Sequence, residues 1–432
     1  VRRMRVVSVA DGTGGDVRPV TVVAQQRQRE GQEIMFAGPP TFRDFVQGKG
    51  LAFTPLPFDC EAMIKSHPGA ATGGMLETLR AAPGLFVKTT EGQLEVLPEL
   101  AKRADFILAG GIHAGVPTAA EYAGIPWRWV VYTSIMYPSN SHPPMTAALG
   151  SAPRVVNWLL WQLTRWFINL MFKKPVNRQR ARLQLPALRD MSEHILCANP
   201  ILAMEPELAP IPPEWPDADA IGYLDPGEGD PLPPEIEAFL ERGPAPVYIG
   251  FGSMPDKHPD ETTRLFVEAT RRAGVRAVIS RGWAQFGATL PEHCIAVGPV
   301  SHPRLFARVS AVVHHGGAGT TAAAARAGKP QLIVPHIADQ FYFGNLVEQI
   351  GVGASALRRS RLRLGPLTER LQRLVNDAGL RERAAELGAK IRSRPRPTNL
   401  SRLLVARKGM SLPLLPVGRR VSIAPPSLRP SA

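Results

Sequence analysis

The apolar positions of the N-terminal half fall into short runs separated by amphipathic stretches. Arg5–Ala10, Glu33–Ala37, Leu51–Pro55, Asp105–Ala109 and Trp129–Tyr132 read as strands, the fourth of them buried on both faces. Helical spacing predicts helices over Val20–Glu30, Phe42–Gly48 and Thr118–Ala123. Strands separated by helices imply a parallel sheet with right-handed crossovers. Residues 200–246 break this rhythm with 12 prolines. Runs such as Pro210-Ile211-Pro212-Pro213 and Pro231-Leu232-Pro233-Pro234 argue against helix and central strand, and place the interdomain connection here. The rhythm then restarts. Strands are predicted at Val247–Phe251, Arg276–Ser280, Cys294–Val297, Ala311–His314 and Gln331–Val334, with helices over Asp260–Arg272 and Thr320–Ala327. The pattern predicts an α/β chain of two Rossmann-like, doubly wound domains. The boundaries expected are 1–205, a Pro-rich linker at 206–243, 244–392, and a basic, disordered tail at 393–432. Ligands of such sheets bind at the carboxyl ends of the strands, here in the cleft between domains.

Composition narrows the function. The 432 residues suffice for two cores, and 44% hydrophobic with 20% charged residues excludes a disordered or fibrous chain. Cys60, Cys197 and Cys294 lie far apart and form no Cys-x-x-Cys pair, which argues against a disulfide scaffold or zinc site and for a reducing, cytoplasmic setting. No secretory signal and no 18-residue uncharged apolar segment is visible. The net charge of +14 would suit nucleic acid, but its location argues against that partner. Residues 393–432 hold eight Lys and Arg and no acid, so much of the excess belongs to a solvated tail.

Candidate chemistry concentrates between His314 and Gln340. In Ala311-Val312-Val313-His314-His315-Gly316-Gly317-Ala318-Gly319-Thr320-Thr321 a strand ends at two histidines, glycines turn the chain, and a helix begins. A helix start offers unpaired N–H groups and about half a positive charge, which suits a phosphate. Glycines admit the anion, Thr320 can donate and cap, and His315 can hydrogen-bond a phosphate oxygen. A tight strand-helix turn without a ligand is the plainer reading of the same residues. After a further strand comes Asp339-Gln340, a carboxylate beside an amide, suited to sugar hydroxyls that both donate and accept.

His-Gly-Gly-Ala-Gly-Thr-Thr followed by Asp-Gln, 24 residues after His315, resembles the donor signature of family 1 glycosyltransferases, which use nucleotide diphosphosugars. Pro246 to Met254, Gly298-Pro299-Val300-Ser301-His302 and the turn Gly12-Thr13-Gly14-Gly15-Asp16-Val17-Arg18-Pro19 are similar to further blocks of that family. The nearest subgroup is that of bacterial enzymes related to sterol, macrolide and glycopeptide glycosyltransferases. The resemblance implies a GT-B fold, with an N-terminal acceptor domain facing a C-terminal donor domain. It places Ser253, His315, Gly317, Gly319 and Thr320 around the diphosphate, Asp339 and Gln340 on the sugar, and Trp283 and Val300 near the base. The reaction implied is inverting transfer of a hexose, from UDP-glucose in the first instance, to a hydroxyl of a lipophilic natural product. A dTDP-deoxysugar transferase of antibiotic biosynthesis is the alternative. A sugar-nucleotide epimerase of the same fold and a catalytically inactive helper protein are the competitors from other classes.

The base must take a proton from the acceptor hydroxyl. Many relatives place a histidine in the first strand-helix turn, where this chain has none. Asp16 stands where the antibiotic and sterol subgroup carries its aspartate, and is the expected base; a helix-capping aspartate is the structural alternative. Asp11 is a neighbour with a lesser claim. Gly12-x-Gly14 is not a dinucleotide fingerprint, because the third glycine would fall at Val17. Asp217-Ala218-Asp219 lies in the proline-rich connection and reads as a solvated loop rather than a metal motif. No metal and no cofactor beyond the UDP- or dTDP-sugar co-substrate is therefore expected.

For the acceptor pocket the candidates are His113, Trp158 and Trp161. The stretch Val155–Phe172, with Trp158, Trp161 and Trp166 ahead of Lys173-Lys174, has three readings. It is an amphipathic helix packed on the first domain, a wall of an apolar acceptor pocket, or a shallow contact with a membrane surface. The family's chain crosses back after its last helix to brace the first domain. Here Ser393-Arg394-Pro395-Arg396-Pro397 follows Lys390-Ile391-Arg392, and loss of that brace is expected.

Overall fold

The computed structural model describes residues 3–59, 62, 75–196, 200–215, 218–224, 229–252, 254, 256, 258–281 and 290–394, without the side chains of 75–83. Two parallel sheets organise the chain. The first contains β1 (Arg5–Asp11), β2 (Glu33–Gly38), β3 (Ala52–Pro55), β4 (Phe106–Gly111), β5 (Trp127–Val131), β6 (Ile201–Leu202) and β7 (Asp219–Ala220), in the order β3-β2-β1-β4-β5-β6-β7. The second contains β8 (Val247–Gly250), β9 (Ala277–Ser280), β10 (Cys294–Val297), β11 (Ala311–His314), β12 (Gln331–Ile333) and β13 (Gly353–Ala354), in the order β10-β9-β8-β11-β12-β13. Central strands such as Phe106–Gly111 and Ala311–His314 are nearly uninterrupted apolar runs because helices cover both faces. Strand order reverses between β1 and β4, where Asp11 pairs with Gly111. It reverses again between β8 and β11, where His314 pairs with Gly250. Loops leaving those pairs diverge, and each opens a crevice at the carboxyl edge of its sheet.

Three elements depart from the pattern-based expectation. The first helix starts at Gly14, not Val20, and runs through Pro19 to Arg29. Thr13 and Asp16 form a capping box that secures its first turn, so the glycine-rich segment is wound into the helix. Asp219–Ala220, expected in the linker, forms the seventh strand of the first sheet. Within the same linker a helix spans Pro234–Glu241. Proline ends helices from inside but opens them at the first position, where its missing N–H costs nothing. Ile236, Phe239 and Leu240 then pack against Val278, Leu305 and Val312 of the second domain.

The two domains share an apolar core. Trp129, Val131, Met204, Leu208 and Trp215 pack in one cluster with Ile333, Phe343, Ala384 and Ile391. The helix Ala378–Ser393 contributes the last two of these residues. Just beyond it, Arg394 places its guanidinium 2.7 Å from Glu205 and 2.6 Å from Glu207, and Lys390 stands 3.0 Å from Glu207. These contacts correct the expected loss of the brace: an ion-pair cluster ties the last described helix to the segment after β6. The hydrogen bonds and charges of Arg394 and Lys390 overcome desolvation and hold the Glu207 carboxyl down at about 2.

Replacing Arg394 by alanine leaves the buried Glu205 carboxylate without this cation. Arg394 is itself about a third exposed, so the full cost of a broken buried pair must be discounted for solvent screening. The expected loss is about 1–3 kcal/mol of stability, read as a lower thermal midpoint at pH 7. A depressed carboxyl contributes above its unfolded value, so the deficit should fade as pH falls from 4.5 towards 2. An Arg394→Ala midpoint equal to the parent's at pH 7 would show that the cluster braces nothing.

Candidate active site

Asp16 sits at the third position of the first helix, over the strand-order reversal of the first sheet. Its Oδ2 accepts from the Thr13 backbone N–H at 2.9 Å and from the Thr13 hydroxyl at 3.3 Å. Among the described residues both bonds land on Oδ2, which leaves Oδ1 for another partner. Gly12, at φ +137°, is what lets the carboxylate lie so close, since a Cβ there would stand 2.3 Å from Oδ2. The Tyr132 hydroxyl, arriving from the end of β5, donates to the Asp16 carbonyl at 3.1 Å. The structural alternative and the functional reading of Asp16 thus coexist. The residue caps a helix and presents a carboxylate, which burial pushes up to about 6 against the lowering bonds from Thr13.

Asp11 ends β1 beside it. Its side chain is buried, with Oδ2 accepting from the Gln93 amide at 3.0 Å and Oδ1 without a hydrogen-bond partner. Gln93 also donates to the Ile112 carbonyl at 2.7 Å and accepts from the Gly115 N–H at 3.0 Å, so its amide is fixed. Burial pushes the Asp11 carboxyl up to about 7; the Gln93 bond opposes this, and the charges of Asp16 and Asp59 add to it. Gln93, Tyr132 and Asp11 come from three separate elements. Nothing in their spacing marks Gln93 or Tyr132 as partners of the turn.

Across the cleft, the loop after β11 assembles the second half. His314 is structural. Its Nδ1 accepts from the Gly316 N–H at 3.1 Å, so Nε2 carries the proton and donates to Gln331 Oε1 at 2.9 Å. His315 is the ring left over. Its Nδ1 is buried without a partner. Its Nε2 lies so near the helix start that a Cβ on Gly317 would stand 2.4 Å from it. Gly252, in the loop after β8, bounds the same ring. Burial, with His314, His336 and His302 nearby, pulls the His315 pKa well below 6.5, so the ring is neutral and acts as a hydrogen-bonding group. The helix begins at Ala318 with Gly317 as its cap. Thr320 therefore occupies the third helical position, beside Gly319, and is not the cap the sequence suggested. The Tyr223 hydroxyl lies 3.2 Å from where a Cβ on Gly319 would stand. Among the described residues no side chain caps this first turn, which suits an anion.

Asp339 and Gln340 behave differently from one another. Gln340 is buried, and its carbonyl accepts from the N–H groups of His336 at 2.7 Å and Ile337 at 3.1 Å. Its oxygen thus shapes the loop, and only the amide nitrogen, 3.3 Å from the Met254 sulfur, is left to meet a ligand. Asp339 occupies the position just before the next helix, without a side-chain capping bond among the described residues, directly after Ala338, which is held at φ +53° in the left-handed region. Burial pushes Asp339 up to about 7, and the charge of Asp16 adds to the rise. That influence links the two halves: the Asp16 and Asp339 carboxyls, from the two domains, lie within electrostatic reach of each other. Burial, with the charge of Arg18, two residues beyond Asp16, in turn lowers His302 of the second domain to about 4.

The remaining candidates scatter. Val300 packs on the edge of the second domain's core, next to the helix His302–Arg308. Ser253, Trp283 and Asp217 lie outside the described residues. Asp219 is paired with Arg128 at 2.7 Å, which removes it from any metal motif. The proposed acceptor wall does not form. His113 is buried against Trp129, and each ring nitrogen is 3.1 Å from a carbonyl oxygen. Trp161 is buried with its N–H on the His142 carbonyl at 3.1 Å, whereas Trp158 is exposed. One is a core contact and the other stands at the margin between the helix's buried and outward faces.

Comparison with known proteins agrees with the two-sheet fold. The model of the erythromycin biosynthesis protein CIII-like C-terminal domain matches residues 277–407. Over 360 residues the chain is 34% identical to glycosyltransferase GtfE of Amycolatopsis orientalis, covering 82% of this chain and 86% of that one. It is 31% identical over 395 residues to sterol 3-beta-glucosyltransferase UGT80B1 of Arabidopsis thaliana, covering 86% of this chain and 63% of that protein. Among solved structures it is similar in fold to glycosyltransferase VinC in complex with DTDP, with a TM-score of 0.65 at 18% identity, over 91% of this chain and 96% of that one.

The raised carboxyls carry a stability signature. A carboxyl higher in the folded than in the unfolded state binds its proton more tightly when folded. Folding therefore loses stability as pH rises from 3.8 to about 7. Asp11→Asn keeps an acceptor for Gln93 but cannot ionise. It should stabilise the protein at pH 8 by about 1–2 kcal/mol and flatten the decline between pH 4 and 7 in thermal unfolding. An unchanged decline would mean that Asp11 is not held protonated.

Proposed function

The chain belongs to the family 1 glycosyltransferases and adopts the GT-B fold, and from that premise we propose an inverting hexosyltransferase that moves glucose from UDP-glucose to a hydroxyl of a hydrophobic acceptor. The observation that carries the reading is the helix start after β11, which no described side chain caps and which a neutral His315 adjoins, with Asp339 within electrostatic reach of Asp16. The diphosphate would lie on the Gly317–Thr320 turn, hydrogen-bonded by His315. The sugar would be held by Asp339 and the Gln340 amide nitrogen. Asp16 Oδ1 takes the acceptor proton as the acceptor oxygen attacks the anomeric carbon. The bond from that carbon to the diphosphate breaks on the opposite face, and the configuration inverts. The leaving diphosphate keeps its negative charge and is stabilised by the helix start. This reading invokes no metal and no resident cofactor.

Glucose and an apolar acceptor are supported by the likeness to a sterol glucosyltransferase. A dTDP-sugar donor is the second reading, supported by the DTDP complex of VinC. Turnover with UDP-glucose and dTDP-glucose against sterols, macrolides and phenols, read by mass spectrometry, separates the two. UDP-glucose should give glycoside with an apolar acceptor. Product from dTDP-glucose alone would overturn the donor assignment, and nucleotide binding without any product would favour a helper protein. EDTA should leave the rate unchanged.

A base must be ionised to work, so kcat/KM should rise with pH and level off above about 6, the value to which burial lifts Asp16. Asp16→Asn should cut kcat about 10²–10⁴-fold, with nucleotide affinity by calorimetry within about twofold of the parent. Retained turnover in that variant removes Asp16 from the mechanism.

A further inference from the structure

Nine large apolar side chains are exposed among the described residues, and eight of them fall between Leu149 and Leu170. Seven are on one helix, Arg154–Arg182. Val155, Leu159, Leu163, Trp166 and Leu170 recur at helical spacing and share one outward face, flanked by Val156 and Trp158. The opposite face is committed to the core through Asn157, Trp161, Phe172 and Val176. Arg180, also buried, forks onto Glu121 at 2.7 and 2.9 Å, and Arg165 reaches Asp190 at 3.4 Å. The helix is thus anchored on one side and apolar on the other. An exposed apolar stripe of this length on a soluble domain marks a contact surface.

Charge identifies the partner. The helix sequence has seven Lys and Arg and no acid. Arg154 is exposed at the start of the stripe, and Lys173, Lys174, Arg178 and Arg182 are exposed just past its end. An apolar band carrying tryptophan and bordered by cations matches the layered composition of a lipid interface: acyl chains within, anionic headgroups around. A second copy of the chain fits poorly, because antiparallel self-packing of two such helices brings cations against cations. The chain's net charge of +14 favours an anionic surface further. No described helix is long and apolar enough to cross a membrane, and the buried face keeps this one from leaving the domain.

We propose that the outward face of the helix Arg154–Arg182 docks the protein flat on an anionic lipid bilayer. The stripe begins beside the cleft. Gly150 packs on Asn345 and on the Phe341 carbonyl, in the helix that follows Asp339. Docking therefore brings the cleft mouth to the lipid surface, where a hydrophobic acceptor resides. That last step rests on the acceptor reading above; the docking itself does not, and its test needs no turnover.

The full chain is floated with phosphatidylcholine vesicles with and without phosphatidylglycerol. Binding should require the anionic lipid and weaken as salt rises. Leu163→Ser with Trp166→Ser should lower vesicle affinity at least about tenfold, and Lys173→Glu with Lys174→Glu should abolish the preference for phosphatidylglycerol. Circular dichroism and unchanged UDP affinity establish that both variants fold. No binding by the parent overturns the proposal. Parent-like binding by both variants also overturns it, and assigns any attraction to the basic stretch 393–432. A dimer in sedimentation velocity that Leu163→Ser with Trp166→Ser dissociates, in a protein that ignores vesicles, gives the face to a second copy instead. Loss of vesicle binding with turnover of soluble acceptors intact separates this proposal from the catalytic one.

Discussion

A carboxylate that closes a capping box cannot drift from its helix. Asp16 is bound through Oδ2 to both the N–H and the hydroxyl of Thr13, and Gly12 leaves room for that oxygen alone. The first turn of the helix, the end of β1 and the proposed base are therefore one rigid unit, with Tyr132 pinning the Asp16 carbonyl from β5. Much of the active-site geometry follows. The reversal of strand order between β1 and β4 opens the crevice, the capping box sets the carboxylate at its lip, and the second domain needs only to bring an anion site opposite. Its own reversal, between β8 and β11, opens a second crevice with the same architecture, where the reading proposed above seats the diphosphate.

Holding the domains in that opposition falls to contacts far from the chemistry. The shared apolar core around Trp129, Phe343 and Ile391 and the Arg394 cluster on Glu205 and Glu207 lie behind the cleft. Apolar packing supplies the non-directional part of this association, and the ion pairs fix its register. Domain closure around a substrate has to pivot on such a hinge, so the same contacts that brace the pair limit how it opens.

The sheet architecture could be read from the chain because buried parallel strands are continuous apolar runs with glycine turns between them. The segment from His314 to Asp339 could be read for a related reason, since its backbone geometry demands particular small residues in a fixed order. What escaped depends on which partner each polar group takes, near or far in sequence. Gln340 reads as a sugar ligand beside Asp339, yet its oxygen is used by the N–H groups of His336 and Ile337. His113 reads as a cleft residue after a buried strand, yet carbonyls at Gly111 and Ile195 occupy both its nitrogens. Arg394 reads as the start of a disordered tail, yet its partners are 187 and 189 residues away. The helix start at Gly14 escaped because the glycine-rich segment reads as a turn, whereas the capping box of Thr13 and Asp16 winds it into the helix.

The electrostatics of the cleft carry a final consequence. Burial raises all three cleft carboxyls, Asp16 to about 6 against the bonds from Thr13, and Asp11 and Asp339 to about 7. The charge of Asp16 adds to the rise of the other two, so ionising one of these groups makes the next harder to ionise. On the reading proposed above, that coupling suits transfer: an ionised Asp16 can accept the acceptor's proton, while its neighbours resist adding further negative charge to a cleft that an anionic donor must enter.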